Sequence, residues 1–298
     1  FQAYWEDPNN KYSKGIGLES QNRDYTLLKP AVTSVASTTG FNWPQFPTPK
    51  FSWFNIAEAA LSGNSYSTDL EDTSTQFWSI ASTSQTGLNL SANFTIALWV
   101  RIESDCAVCG LVSKWNTTGN QRSWEWLWAG GANDIFQINV SADGAVQACN
   151  VDNAWNPIVN GTTWYHVVIT KSGTTVIHYI DGVQNGATGT CTGGTNIYSS
   201  SADFLVGKRN AGAGSTMDGL IDDVRVWDMT LTAQEIYILY NDTCGFPNGT
   251  GLRGWWKFDN DGLDLSNDTN DLTNNNTATF VQDYSPDYKC KQHILNAE

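Results

Sequence analysis

Residues 219–240 constrain the fold more than any other stretch, because a strand pattern runs directly into a capped helix. Alternation in Gly219–Trp227 predicts two strand faces, one with Leu220, Asp222, Val224 and Val226 and the other with Ile221, Asp223, Arg225 and Trp227. Thr232 is followed three residues later by Glu235, which is the pattern of a capping box. The pattern predicts a helix of about two turns that ends near Tyr240.

Strand patterns recur along the chain and predict an all-β fold. In residues 94–102 the apolar side chains alternate with a second set, as expected of Phe94, Ile96, Leu98, Val100 and Ile102 in a half-buried strand. Turn signals such as Asp181-Gly182 separate such runs. With one convincing helix, this spacing predicts an antiparallel sandwich of two sheets.

These stretches resemble a laminin-G-like domain of the concanavalin A-like lectin/glucanase superfamily. The strand and helix of residues 219–240 look like its closing signature, and residues 65–99 look like its early part. Thr-Trp-Tyr-His-Val-Val-Ile-Thr-Lys at 163–171 is similar to a later strand, and residues 176–182 to the hairpin after it. The resemblance covers residues 62–244 and implies a jelly roll with one short helix near the end of the domain.

The tail, residues 245–298, is similar to the beginning of the same kind of domain. Gly-Leu-Arg-Gly-Trp-Trp-Lys-Phe-Asp at 251–259 resembles its opening strand, although it follows the closing helix. The domain is thus permuted within one chain, or the tail completes the sandwich of a neighbouring copy, or the chain was cut from a tandem array. We predict that this strand serves assembly through Trp255, Trp256 and Phe258.

Residues 1–61 are predicted to form an extended N-terminal arm. Prolines in Phe41–Phe54 restrict the residues before them to extended conformations. The aromatic side chains of this stretch are costly to leave in water, so we expect it to pack on its own sandwich or on a partner.

Charge and cysteine content indicate an extracellular or cell-surface protein. The net charge is −14 without clustered Lys or Arg, which argues against nucleic acid or an anionic membrane as a partner. The sequence contains no apolar run of about 18 residues, so it predicts no insertion into a membrane. A start at Phe1 without Met fits a processed protein or a piece of a longer one. The even cysteine count suits disulfides, and we favour Cys106–Cys109, Cys149–Cys191 and Cys244–Cys290.

Asn-x-Ser/Thr acceptors are denser than we expect by chance and predict a glycoprotein. They are Asn89, Asn93, Asn116, Asn139, Asn160, Asn241, Asn248, Asn267 and Asn275. Composition alone is the alternative explanation for many of them.

Catalytic patterns are missing from the sequence. Glucan-cleaving enzymes with the fold that this chain resembles carry a Glu-x-Asp-x-Glu type of strand, whereas Glu125 has no carboxylate two residues away. Ser141-Ala-Asp143-Gly144 is half of a sialidase-type Asp box without the downstream Trp. His166, His178 and His293 accompany no recognisable nucleophile, so we expect structural roles for them. The sequence predicts that the protein is not an enzyme.

Two binding sites are predicted. The resemblance implies a Ca²⁺ at the sandwich edge with Asp222 as a ligand, Asp223 as the second choice and Asp259 from the tail, and solvated acids are the alternative. Trp124, Trp126 and Trp128 share one strand face, which favours glycan stacking, with core packing as the alternative.

These patterns together favour a non-catalytic extracellular glycoprotein that assembles with copies of itself, as a structural subunit of a filament or surface layer. A carbohydrate-binding lectin module is the alternative, and a glycoside hydrolase is a distant third.

Overall fold

The computed structural model describes residues 66–130, 135–209, 215–241 and 249–283. The chain divides into two units, Phe1–Phe54 and Asn55–Glu298, and every described residue belongs to the second unit. The predicted arm, the Cys244–Cys290 bridge, Asn248 and His293 lie outside the described residues.

The described residues form short strands and one α-helix. The strands are β1 (Ser67–Leu70), β2 (Phe77–Ile80), β3 (Phe94–Ile102), β4 (Cys109–Asn116), β5 (Gln121–Ala129), β6 (Ile135–Val140), β7 (Cys149–Ala154), β8 (Trp164–Ser172), β9 (Thr175–Ile180), β10 (Val183–Thr190), β11 (Phe204–Val206), β12 (Gly219–Trp227), β13 (Leu252–Trp256), β14 (Thr273–Asn275) and β15 (Thr279–Val281). The helix α1 (Ala233–Asn241) follows β12. Among the described residues, no helix has the length and hydropathy needed to cross a lipid bilayer.

The strands form a two-sheet antiparallel sandwich, which confirms the predicted fold class. One sheet has the order β10-β9-β8-β3-β12-β1-β15, with β13 also paired to β12. The other has the order β14-β2-β11-β4-β5-β6-β7. The main core contains all five predicted apolar residues of β3, from Phe94 to Ile102. Alternation in β3 therefore predicted the inward face correctly.

Strand β12 changes its partner halfway along its length. Ile221 pairs with Thr68 of β1, whereas Val224 pairs with Trp256 of β13. Between them the register shifts, and Asp223 takes a left-handed φ of 45°. This bulge changes the phase of the strand, because Ile221 joins Val224 in the main core. The predicted placement of Ile221 on the opposite face is therefore wrong.

Helix α1 begins with the predicted capping box. The backbone N–H of Thr232 donates to Glu235 Oε2 at 2.7 Å, and the N–H of Glu235 donates to Thr232 Oγ1 at 3.3 Å. Ile236 and Leu239 of the helix join a second apolar cluster that includes Trp227 of β12. The cap thus fixes where the helix starts, and the cluster joins it to the sheet.

The tail is built into the sandwich of its own chain. It adds β13 beside β12 and β15 beside β1, and it adds β14 beside β2 in the other sheet. Trp256 and Phe258 lie in the main core, whereas Trp255 lies in the second cluster. The tail therefore contributes to both sheets.

The edges of the two sheets that lie farthest from tail strands β14 and β15 are β7 and β10, and amide side chains and a disulfide join this side of the sandwich. Asn153 of β7 donates to the carbonyl of Asn185 in β10 at 2.7 Å, and Asn185 donates back to the carbonyl of Ala154 at 2.7 Å. Cys149 and Cys191 form a disulfide, as predicted. The predicted Cys106–Cys109 bridge is also present.

Candidate functional site

The three tryptophans of β5 lie in the main core. Trp124, Trp126 and Trp128 are each 0% exposed. Trp124 stacks near Phe94, with ring centroids 6.1 Å apart, and Trp126 lies 5.5 Å from Phe136. Because Phe94 belongs to β3 of the other sheet, this face of β5 is the one turned towards that sheet. The predicted sugar-binding face at these residues is therefore wrong, and core packing explains them.

Glu125, between two of these tryptophans, lies on the opposite face of β5 in a polar network. Glu125 is 1% exposed and accepts hydrogen bonds from Arg209 Nη2 at 3.0 Å and Asn139 Nδ2 at 2.9 Å. Asn139 accepts in turn from Asn150 at 3.2 Å. Burial raises the pKa of Glu125, against the opposing effects of Arg209 and Asn139. The Glu125 carboxylate is thus engaged in a buried network.

The predicted calcium ligands of the closing strand are both buried, and Asp223 forms an ion pair. Asp223 is 3% exposed, and Arg225 donates to both of its oxygens, at 2.9 and 3.0 Å. Trp255 Nε1 donates to the same carboxylate at 2.6 Å. Asp222 is 0% exposed and accepts the backbone N–H of Asp223 at 2.8 Å. Both oxygens of Asp223 are therefore already bonded within the chain.

The third predicted ligand, Asp259, is also neutralised by a cation of the chain. Lys257 Nζ lies 3.1 Å from Asp259 Oδ2, and the N–H of Tyr66 donates to Oδ1 at 3.0 Å. Calcium needs several oxygen ligands directed at one point. Asp223 and Asp259 are engaged by cations of the chain and do not fit as calcium ligands, whereas calcium at Asp222 stays a prediction.

A different group of carboxylates meets at one end of the sandwich. Oxygens of Asp69, Glu71 and Glu103 lie within 4.8 Å of one another, and we call these residues the acidic cluster. Burial raises the pKa of Asp69 to about 6, together with the negative charges of Glu103 and Glu71. Sequence reasoning missed this cluster, because β12 lies between β1 and β3 and brings distant segments together.

Beside the acidic cluster lies Trp164, the first residue of β8. Of the tryptophans in the described residues, it is the one that is not buried. Its Nε1 donates to Asp283 Oδ1 at 3.2 Å, and the guanidinium carbon of Arg101 lies 5.7 Å from its ring centre. Arg101 also forms ion pairs with Asp283 and, at 3.0 Å, with Glu103. The indole is thus held in one orientation at the surface.

Sequence reasoning assigned Trp164 to a strand and missed it as a site residue. The sequence feature that could have identified Trp164 is its position directly after a turn. In this turn Asn160 Oδ1 accepts hydrogen bonds from the N–H groups of Thr162 and Thr163 at 2.9 and 3.2 Å. A residue that begins a strand has fewer covering neighbours than one in its middle. The same reasoning separates Trp164 from the tryptophans of β5.

The two described histidines are packed in the interior. His166 and His178 are each 1% exposed, and burial lowers the pKa of each to about 3. His178 stacks on Phe136 with ring centroids 5.5 Å apart. Both imidazoles are therefore neutral at ordinary pH, which fits the structural role expected of them.

The predicted glycosylation sites differ in access. The exposed acceptors are Asn89, Asn93, Asn160 and Asn267, and the partly buried ones are Asn116, Asn241 and Asn275. Asn139 is 3% exposed, and its Nδ2 is the atom that donates to Glu125. A glycan on that atom is incompatible with the buried network, so Asn139 does not fit an acceptor site.

The sequence and the fold of this chain are similar to those of known proteins. A sequence model of the concanavalin A-like lectin/glucanases superfamily matches residues 54–237. A Bacteroides ovatus protein whose proposed role is carbohydrate binding aligns with 15% identity and a TM-score of 0.53, over 74% of this chain and 60% of that chain. A heptameric SAP-like pentraxin from Limulus polyphemus aligns with 14% identity and a TM-score of 0.53, over 73% of this chain and 94% of that chain. At these identities the two structures share the fold alone. No curated protein sequence matches this chain significantly.

Proposed function

The chain belongs to the concanavalin A-like lectin/glucanases superfamily, and from that premise we propose that it is a non-catalytic carbohydrate-binding module that acts outside the cell. The disulfides Cys106–Cys109 and Cys149–Cys191 support an oxidising, extracellular setting. The proposed role of the Bacteroides ovatus protein, which shares the fold, is in keeping with this function.

The observation that carries the proposal is the partly exposed, oriented indole of Trp164. Its Nε1 is bound to Asp283 at 3.2 Å and one side of its ring faces Arg101, so the ring is fixed before any ligand arrives. A fixed aromatic ring loses little conformational entropy when a sugar stacks on it. Carboxylates beside the ring, such as Glu103, accept hydrogen bonds from sugar hydroxyl groups.

A binding role rather than catalysis is supported by the state of Glu125. Glycoside hydrolysis by two carboxylates needs an acid and a base or nucleophile on either side of the bond. Glu125 is 1% exposed and binds Arg209 and Asn139 through its oxygens. In the half Asp box, Asp143 Oδ1 accepts hydrogen bonds from the N–H groups of Ala145 and Val146 at 2.8 and 3.0 Å. Asp143 therefore stabilises a turn.

The test is binding to a panel of immobilised polysaccharides by wild type and Trp164→Ala. We expect the variant to lose about 10-fold in affinity, because one stacking contact of about 1.4 kcal/mol is removed. Its melting temperature should stay near that of wild type, since Trp164 is partly exposed. Tyr237→Ala is the matched control, because Tyr237 is 51% exposed on α1. Equal binding by all three proteins would contradict the proposal.

A second candidate function, assembly with copies of itself, is supported by how the tail is inserted. Residues 249–283 supply β13, β14 and β15, and Trp256 and Phe258 fill the main core with 0% exposure. A segment that completes both sheets is the kind of element that subunits exchange when they form a filament or surface layer.

Native mass measurement over a range of concentrations tests this second candidate. Exchange of the tail predicts oligomers that grow with concentration and become shorter when a peptide of residues 249–283 is added. A monomer at every concentration would contradict assembly and leave the glycan-binding proposal intact.

A further inference from the structure

We infer that the ligand of the Trp164 site is a glycan that carries positively charged amino sugars. The inference rests on the proposed function and names the ligand class for the same site. It follows from the charges that surround the indole and from which of them face solvent.

The groups next to the indole are unequal in exposure. The side chain of Asp283 is 53% exposed and that of Glu103 is 32% exposed, whereas the side chain of Arg101 is 10% exposed. Arg101 is also shared between these two carboxylates. A ligand that approaches Trp164 therefore meets carboxylates, while the neighbouring cation is covered and already paired.

Further carboxylates extend this surface. Glu71 is exposed, and its oxygens lie within 4.8 Å of those of Glu103 and Asp69. Asp218, which accepts a hydrogen bond from Ser104, also adds negative charge near Asp69. Crowding of these charges, after burial, accounts for the pKa of about 6 at Asp69. The field at this end of the sandwich is thus negative beyond what Arg101 neutralises.

A hexosamine with an unmodified amino group matches both parts of the site. The C–H face of a pyranose ring can stack on the indole, and an ammonium group on that ring would be attracted by the carboxylates beside it. Uronic acids and sulfated sugars present the same ring with a negative charge, which this surface repels. The net charge of −14 over the whole chain adds to that repulsion at long range.

The neighbouring glycosylation acceptor offers a competing occupant for the indole. A Cβ placed on Gly161 would lie 3.4 Å from Glu103 Cγ, so the turn that carries exposed Asn160 lies against the acidic cluster. A glycan attached to Asn160 is close enough in sequence to reach Trp164. Its first sugar would be an uncharged N-acetylhexosamine, which makes this occupant chemically distinct from the proposed ligand.

The experiment is calorimetric titration of the full chain with three oligomers of equal length. They are glucosamine, N-acetylglucosamine and galacturonic acid oligomers, in a chelating buffer at a pH where the amine is protonated. We expect the glucosamine oligomer to bind tightest, with about 3- to 10-fold preference over its N-acetylated form. Preference for the N-acetylated or the acidic oligomer would overturn the inference.

Charge variants test whether the carboxylates cause that preference. Glu71→Gln should weaken binding of the glucosamine oligomer about 2- to 5-fold and leave the N-acetylated oligomer unchanged, because it removes one exposed charge. Asp152→Asn is the matched control, since Asp152 is an exposed acid on β7 in the other sheet. Equal effects of the two substitutions would overturn the inference.

Two further variants separate the possible failures. If Trp164→Ala binds as wild type does, the proposed function fails at this site. If Trp164→Ala loses binding but the preference is for neutral or acidic sugars, the proposed function stands and the inference fails. The second variant is Asn160→Gln. If it binds the oligomers while the glycosylated wild type does not, the attached glycan occupies the indole, and this result also overturns the inference.

Discussion

Asp223 and Arg225 form a buried bidentate ion pair two residues apart on β12, with donor–acceptor distances of 2.9 and 3.0 Å. Their side chains are each 2% exposed. The pair lies at the bulge where β12 passes from β1 to β13, and Trp255 of the tail closes it with a third hydrogen bond. The tail thus binds the closing strand through a charge network as well as through the core.

Arg225→Met should destabilise the protein strongly. The substitution leaves the Asp223 carboxylate buried without its cation, which costs about 3–5 kcal/mol. Urea unfolding measures the loss. Arg253→Met is the control, because Arg253 pairs with Asp228 and Asp268 while its side chain is 34% exposed, and we expect a cost below about 1 kcal/mol. Equal losses in the two variants would contradict a special role for the buried pair.

Chelation should leave the melting temperature of wild type unchanged. Asp223 is neutralised by Arg225, and Asp259 by Lys257 at 3.1 Å, so neither of these two carboxylates needs calcium. Scans in excess EDTA and in CaCl₂ measure this. A fall in EDTA that disappears in Asp222→Asn but persists in Asp69→Asn would restore a calcium site on β12.

Acid should destabilise the fold through its histidines. Burial lowers the pKa of His178 to about 3 from an unfolded value of about 6.5, so the unfolded chain binds more protons between these values. Stability is therefore lost as the pH falls below about 6.5, by about 2 kcal/mol for this group between pH 7 and pH 5. His178→Phe, beside Phe136, should flatten that slope in urea unfolding. A slope identical to that of wild type would show that His178 does not contribute.

Lys171→Met should loosen one end of the sandwich. The buried ammonium of Lys171 donates to the carbonyls of Ala92 at 3.2 Å, Gly173 at 2.6 Å and Gly194, and so joins three loops. Losing these bonds should cost about 2–4 kcal/mol, against less than about 1 kcal/mol for Lys208→Met at a partly exposed site.

The pH dependence of Lys171 provides a second measurement. Burial lowers the pKa of Lys171 to about 8, below its unfolded value, so the unfolded chain binds more protons above that pH. The stability of wild type should therefore rise relative to Lys171→Met as the pH increases from about 8 to about 10.5. A constant difference between the two proteins over that range would contradict the burial of a charged amine.

Glycopeptide mapping should find Asn139 unmodified in folded protein. Its Nδ2 donates to Glu125 at 2.9 Å inside the sheet, whereas Asn89 is exposed. Asn139→Gln should cost about 1–3 kcal/mol, because an extra methylene is forced into a buried network. Asn89→Gln should change stability by less than about 0.5 kcal/mol. A glycan on Asn139 of folded protein would contradict the described network.

The sequence by itself determined the features that depend on near neighbours in the chain. Thr232 and Glu235 are three residues apart, so the capping box fixes the start of α1 wherever the helix packs. Alternation along β3 identified its inward face, because period 2 is a property of one strand. Trp256 and Phe258 are two residues apart, so the same period places them on one face, and both lie in the main core.

Tertiary structure alone decided which face is inside and which distant groups meet. Trp124, Trp126 and Trp128 share a face in any extended strand, but the packing of the other sheet, whose Phe94 meets Trp124, made that face part of the core. The bulge at Asp223 lies where β12 stops pairing with β1 and begins pairing with β13, so no local sequence pattern predicts it. Trp164, Arg101, Asp283 and the acidic cluster come from four separate segments of the chain. Their common site exists because strands adjacent in the sheet are far apart in sequence.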